Sequence, residues 1–277
     1  MVLNLFRENG VQVAGILDSD EKKWGCEIEG VKISEPINLD RDAGYVITCV
    51  NPQTAEMIEN SLVSLGVPQE NVRKKCDYLG HELDEKQYFD EDIIKLGKEE
   101  VFVDAGAYHL ETSVRFANRC LKAGFKDFKI YAFEPDEISH ETCQEIVADK
   151  RELENVQLFN YGLWNKKDML CFDGVGGSAS KVVEMSSQKI EVVDLDSVVN
   201  ERVSFVKMDL EGAEMEALRG AQETIKKYRP RLAISIYHKE DDMYEIPMYI
   251  KELVPEYRLF IRHYSDALHE TVLYAVI

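Results

Sequence analysis

Several short strings in this chain bring together residue types that can do chemistry. Asp104-Ala105-Gly106-Ala107-Tyr108-His109 follows the apolar run Val101-Phe102-Val103 and precedes a helical pattern starting near Glu111. A strand ending in an acid, then a small-residue turn, then a helix start gathers free backbone N–H groups at one point, and Gly106 lets a ligand come close to the backbone. Asp104 at that tip can hold a ligand ammonium. A pyrophosphate would want a richer glycine loop. Glu134 ends the next apolar run, Tyr131-Ala132-Phe133, and Pro135 stops the strand after it. An acid so placed can accept both ribose hydroxyls of an adenosine. Phe159-Asn160-Tyr161-Gly162-Leu163-Trp164 offers small and aromatic residues for an adenine slot, or equally a core aromatic with a turn glycine. The densest string is Lys207-Met208-Asp209-Leu210-Glu211-Gly212-Ala213-Glu214. Glu211 and Glu214 also suit a helix N-terminus, whereas Asp209 lies on the strand and lacks that explanation. His238 and His263 each end a further strand and, if those strands run as read, face the rim that carries Asp209.

The elements that must position these residues alternate regularly. Apolar runs at Val101–Asp104, Lys129–Glu134, Val156–Tyr161, Ser204–Asp209, Arg231–Tyr237, Tyr257–His263 and Thr271–Ile277 read as strands, with helical spacing between most of them, as in Glu214 to Tyr228. That alternation predicts a mainly parallel α/β sheet covered on both faces, with ligands at the carboxyl ends of its strands. The last two strands leave no room for a crossover helix and should form an antiparallel hairpin. Residues 1–80 read as a smaller α/β domain: strands at Val11–Asp18, Val31–Ile33 and Gly44–Val50, then a helix from Pro52 to Leu65 with Ala55, Ile58, Leu62 and Leu65 on one face. Asp18 sits where a ribose-binding acid would sit, yet there is no room before Val11 for a strand and a G-x-G-x-x-G turn. The expectation is an incomplete, non-binding Rossmann-like module. Residues 81–100 are expected to be a linker with a helix from Asp90 to Leu96, and 101–277 the main domain.

Composition narrows the partners. The 277 residues include 33 basic and 52 acidic ones, for a net charge of −19. Such a surface repels phosphate backbones and anionic lipid, which argues against nucleic acid or membrane as a main partner. Six cysteines are scattered without a C-x-x-C pair, several among apolar neighbours, the pattern of reduced, buried thiols. No long apolar run could span a bilayer and the start has no signal-peptide shape, so the expected location is cytoplasmic. The sequence leaves oligomeric state open, homo-oligomer included.

Taken in order, the D-x-G-A turn, the F-E-P-D strand end, the N-x-G-L-W segment, Val193-Asp194-Leu195-Asp196 and the K-M-D-L-E-G-A-E run resemble the FkbM family of S-adenosylmethionine-dependent methyltransferases, over about residues 86–277. The resemblance implies a Rossmann-like methyltransferase sheet with S-adenosylmethionine as cofactor. It implies cofactor contacts at Asp104, Gly106, Ala107, Glu134 and around Asn160, to which Tyr108, Thr112, Pro135 and Gly162 are added as neighbours in the same turns. It places the Asp209–Glu214 run near the transferred methyl and implies O-methylation of a sugar or other small-molecule hydroxyl. The catalytic candidates are Asp209 or His238 as base and Glu211 as substrate ligand. An ion on Asp209 and Glu211 is compatible with the pattern but not required by it, and no metal is assigned. One position departs from the family: Leu110 stands where a second glycine is usual. A leucine at positive φ is strained, and its side chain is expected to crowd the methionine end of the cofactor. The rival readings are therefore a catalytically degenerate Rossmann-like binding module and, less well supported without glycine-rich loops, an NAD-dependent oxidoreductase or epimerase.

Overall fold

The chain divides into two units, Met1–Gly80 and His81–Ile277. The computed structural model describes all residues except 1–2, 4–5, 8–9, 38, 50–51, 75–85, 174–180, 184–185, 187 and 266–268.

In the first unit, β1 (Ile16–Leu17) pairs in parallel with β3 (Val31–Ser34), and β2 (Glu27–Ile28) is antiparallel to β3. A second, two-stranded sheet joins β4 (Tyr45–Ile47) in parallel to β5 (Val72–Lys74) across the helix Pro52–Ser64. Ile47, Ala55, Leu62, Val67 and Val72 make its core. The strands are shorter than the apolar runs suggested. The helix also buries a narrower face than expected, because Ala55 and Leu62 are covered while Ile58 and Leu65 stay exposed. Two strands cover only a narrow stripe of a helix, and Ile58 and Leu65 fall to one side of it. Gly66, at φ +92°, ends the helix. Asp18 holds its own turn together: it accepts the Asp20 N–H at 2.9 Å and the Lys23 ammonium at 2.7 Å, and the Lys23 hydrogen bond lowers its pKa.

The second unit is built on a seven-stranded sheet. Its members are β6 (Glu99–Ala105), β7 (Asp127–Phe133), β8 (Val156–Phe159), β13 (Phe205–Met208), β14 (Arg231–Ser235), β15 (Arg258–His263) and β16 (Thr271–Val276), in the order β15-β16-β14-β13-β6-β7-β8. All pairings are parallel except those of β16, which is antiparallel to both β14 and β15. β6 and β13 lie at the centre with both sheet faces covered, and read as apolar runs interrupted by the buried charges Asp104 and Lys207. One face packs Val103, Phe133, Val206, Leu218 and Ile234, and the other packs Phe102, Phe116, Ile130, Phe205 and Tyr274. A satellite sheet of β9 (Gly162–Leu163), β10 (Asp168–Asp173), β11 (Lys181–Val182) and β12 (Lys189–Val193) follows β8.

Two expected helices are corrected. The segment from Asp90 makes only a turn, with Ile93 and Ile94 N–H groups both bonded to the Asp90 carbonyl. Phe89 just before it is pulled into the core against Phe102, Phe116 and Phe205, with ring centroids 5.9–6.4 Å away. The helix read from Glu214 to Tyr228 is two, Glu214–Arg219 and Gln222–Tyr228. The break is at Gly220, where a Cβ would stand 1.9 Å from the Trp164 carbonyl oxygen, so the neighbouring backbone crosses at contact distance. Asp196 then caps the second helix by accepting the Glu223 and Thr224 N–H groups.

Candidate active site

The carboxyl ends of β6, β7, β13 and β14 carry the site residues. After β6 the backbone turns through left-handed conformations at Gly106 (φ +77°), Tyr108 (φ +47°) and Leu110 (φ +59°). At Gly106 a Cβ would lie 1.9 Å from the Asp209 carbonyl oxygen, so only glycine fits this crossing of the two loops. The Gly106 and Ala107 N–H groups both donate to the Phe133 carbonyl, and Cys143 Sγ donates to the Tyr108 carbonyl. Ala107 in this turn and Thr112 at the start of the following helix are buried. Leu110 is wholly buried among Phe102, Phe116 and their neighbours, so its side chain fills the core below the loop instead of crowding the loop mouth.

Asp104 is also fully buried. Its Oδ2 accepts the Ser113 hydroxyl at 2.7 Å, and Lys207 Nζ lies 3.2 Å from its Oδ1. Lys207 directs its hydrogen bonds to the Ala105 and Gly106 carbonyls, at 3.2 and 2.6 Å, and sits over the Tyr88 ring. The acid expected to meet a ligand ammonium thus meets the chain's own ammonium, and together they brace the loop.

Glu134, 7% exposed, accepts the Tyr108 N–H on Oε2 at 2.8 Å and the Asp136 N–H on Oε1 at 2.9 Å. Burial raises its pKa to about 7 against the lowering effect of those two bonds. Asn160 donates to the Glu134 carbonyl at 3.1 Å. Pro135, Asn160 and Tyr161 border a cleft of about 550 Å³ whose far wall is Gln188 to Glu191 on the satellite sheet. Gly162 is buried beneath that wall, with Val192 Cγ1 3.1 Å from where a Cβ would be.

The second cluster surrounds His238. Its Nδ1 lies 2.7 Å from Glu214 Oε1, which also accepts the Leu210 N–H, and its Nε2 lies 3.6 Å from both Asp209 Oδ1 and Glu211 Oε2. Burial lowers the imidazole pKa. The Glu214 hydrogen bond and the charges of Glu214, Asp209 and Glu211 outweigh it and carry the value up to about 9. Burial, above all, raises Glu211, which stands at φ +51°. Asp209 accepts the Tyr88 hydroxyl at 2.9 Å and the Tyr237 hydroxyl at 3.3 Å. Burial and that carboxylate push both phenols well up, so both stay neutral donors.

The structure therefore joins Asp209, Glu211 and His238 in one cluster and ties it to the Gly106 loop. Glu134 braces that loop from the β7 side, and Asn160 and Pro135 face the neighbouring cleft. His263 is apart, exposed and 2.8 Å from Thr271 Oγ1 on the adjacent strand. Tyr88, Ser113, Tyr237 and the orienting role of Glu214 were not anticipated. Lys207 carried a signal, since a charged residue inside an apolar strand needs a buried partner.

A family profile described as the methyltransferase FkbM domain matches residues 104–266. Among solved structures, an FkbM methyltransferase from Methylobacillus flagellatus KT superposes with a TM-score of 0.60 at 19% identity, covering 96% of this chain and 84% of that one. At that identity the likeness shows the fold. A SAM-dependent methyltransferase from Aquifex aeolicus (TM-score 0.41, 15% identity, 78% and 97% covered) and a precorrin-6y C5,15-methyltransferase from Geobacter metallireducens GS-15 (0.42, 11%, 72% and 86%) align more loosely. No curated protein matches the chain. No described helix is long and apolar enough to cross a membrane.

Proposed function

The chain belongs to the FkbM methyltransferase family, and from that premise we propose that it transfers a methyl group from S-adenosylmethionine to a hydroxyl oxygen of a sugar or other small molecule. The observation that carries this reading is the contact between the two loops. Gly106 packs on the Asp209 backbone and Lys207 bonds the Gly106 carbonyl, so the loop after β6 and the loop that carries Asp209 and Glu211 are held in contact.

The residues fit the cofactor. Each Glu134 oxygen accepts one backbone N–H and keeps a second lone pair, so the carboxylate can take two ribose hydroxyls without giving up its bonds. Asn160 and Pro135 border the cleft next to it, where an adenine can lie. Asp104, with Ser113 and Lys207, holds the turn of Gly106, Ala107 and Tyr108 in shape. Burial of Leu110 favours a working loop over the degenerate binding module.

When bound, the cofactor supplies an electrophilic methyl on a sulfonium, so the protein's task is alignment and exclusion of water. Asp209 takes the proton of the acceptor hydroxyl, a general-base contribution of about 10²–10⁴-fold. The Tyr88 and Tyr237 hydroxyls fix its orientation. Glu211 receives a second acceptor hydroxyl, and His238 holds the acids together from the Glu214 side. A cytoplasmic location belongs to the same proposal, supported by Cys120 and Cys143, buried thiols that burial raises to about 12.

The test is calorimetric titration with S-adenosylhomocysteine, then a labelled-methyl screen over sugars and hydroxylated small molecules. Binding that Glu134→Ala abolishes, followed by transfer that Asp209→Asn suppresses by at least about 10²-fold, supports the reading. A folded chain that binds no S-adenosylhomocysteine overturns it.

A further inference from the structure

We propose that Asp209, Glu214 and His238 form a site for one divalent cation, with His238 Nε2 and Asp209 Oδ1 as protein donors and Glu214 fixing the imidazole from behind. The inference deepens the reading above by giving the acceptor end of the same site a cation, and its test is read separately from cofactor binding.

One donor atom from each of Asp209, Glu214 and His238 lies within 4.8 Å of the other two. A cluster of acids alone would be an ordinary polar rim, but the imidazole makes this one different. The His238 side chain is 7% exposed and its Nε2 has no hydrogen-bond partner among the described residues. That nitrogen points between Asp209 Oδ1 and Glu211 Oε2, each 3.6 Å away. The separation is too long for a hydrogen bond. It is close to what two donors subtend when each lies about 2.0–2.2 Å from a shared ion.

The surroundings match the outer layer of a metal centre. Glu214 is fully buried, and its Oε1 is anchored by the Leu210 N–H and by His238 Nδ1. A metal-bound histidine commonly gives its other nitrogen to a carboxylate, which sets the tautomer and aims the ligating nitrogen. Tyr88 and Tyr237 similarly steer Asp209. One imidazole with carboxylates suits Mn²⁺ or Zn²⁺ better than a thiolate-seeking ion. Binding displaces any proton on Nε2 to solvent. The bound ion then accepts a lone pair of the acceptor hydroxyl and makes that hydroxyl more acidic, its proton passing to Asp209 Oδ2 while Asp209 Oδ1 stays on the ion and Glu211 remains free for a second acceptor hydroxyl.

The experiment titrates Mn²⁺ into chelator-treated full-length chain, reading free Mn²⁺ by electron paramagnetic resonance, with Zn²⁺ and Mg²⁺ as competitors. One Mn²⁺ per chain is expected, weakened at least tenfold by Asp209→Asn and by His238→Gln. Glu141→Gln, which removes an exposed acid elsewhere, should leave binding unchanged and so report any diffuse attraction to the acidic surface. Glu134→Ala should lose S-adenosylhomocysteine while keeping Mn²⁺, which separates this inference from the cofactor reading. Two results overturn it: no stoichiometric binding of any of the three ions by the folded chain, or Mn²⁺ binding that Asp209→Asn and Glu141→Gln weaken equally.

Discussion

Glu134 should make cofactor affinity depend on pH. In the free chain burial holds this carboxyl at about 7, up from 4.5, despite its two backbone N–H bonds. Ribose hydroxyls donating to it favour the ionised form and pull the value back toward 4.5. Binding must then expel the proton below about pH 7, and affinity should fall about tenfold per pH unit until the bound form also protonates. With those two end points, S-adenosylhomocysteine should bind about thirtyfold more weakly at pH 5.5 than at pH 8. Calorimetry in buffers of different ionisation enthalpy should count about 0.9 proton released at pH 6 and about 0.1 at pH 8.

The same group affects the unliganded fold with a definite sign. Because its folded-state pKa lies above its unfolded value, the native chain binds the extra proton between 4.5 and about 7. The stability tied to that proton is complete below pH 4.5 and is lost as pH rises through about 7, for a total on the order of 3 kcal/mol. Ligand affinity and unliganded stability should therefore move in opposite directions across this window. Glu134→Gln should flatten both profiles and bind weakly at every pH. An affinity that is constant from pH 5.5 to 8 in the wild type, with no proton release near pH 6, would refute the reasoning, because it would mean that Glu134 does not meet the ligand.

Three further outcomes follow from the loop and its braces. Lys207→Met leaves Asp104 buried without its ammonium and should cost about 3–5 kcal/mol in urea unfolding, with Asp104→Asn/Lys207→Met recovering most of it; equal losses in the single and double variants would show that the pair is not coupled. Leu110→Gly relieves about 1 kcal/mol of left-handed strain but gives up about 2–5 kcal/mol of leucine burial, so the variant should be net less stable. A more stable Leu110→Gly would show that backbone strain outweighs burial at this position. Gly106→Ala forces a Cβ to 1.9 Å from the Asp209 carbonyl and should abolish S-adenosylhomocysteine binding even where circular dichroism shows a folded chain; unchanged affinity would mean the two loops are not held in contact.

The centre of the sheet was legible because its strands are buried on both faces and so appear as largely apolar runs, with an acid at the tip of β6, β7 and β13. Chain length then decided the hairpin, since the residues between His263 and Thr271 cannot cross back over the sheet. What periodicity could not show were the places where two backbones cross. Gly220 and Gly106 each sit against a carbonyl from far along the chain, and neither the helix break nor the loop contact leaves a local pattern. Tyr88 is hidden for the same reason, meeting Asp209 from 121 positions away. The left-handed turns at Tyr108, Leu110 and Glu211 are hidden for a different one. None is glycine, so their conformation is imposed by packing and not by the residue itself.

Lys207 is the instructive case between these. A lysine in Phe205-Val206-Lys207-Met208 cannot be exposed if the strand is central, so the sequence already requires an acid beside it. In the sheet, β13 lies next to β6 with Lys207 opposite Asp104. Once the two strands are taken as neighbours, each answers the other's buried charge, and Asp104 braces the turn that follows β6. The role of a strand-tip acid therefore turns on what stands across the ladder from it. Glu134, opposite no lysine and met only by N–H groups, is the acid left with lone pairs for a ligand.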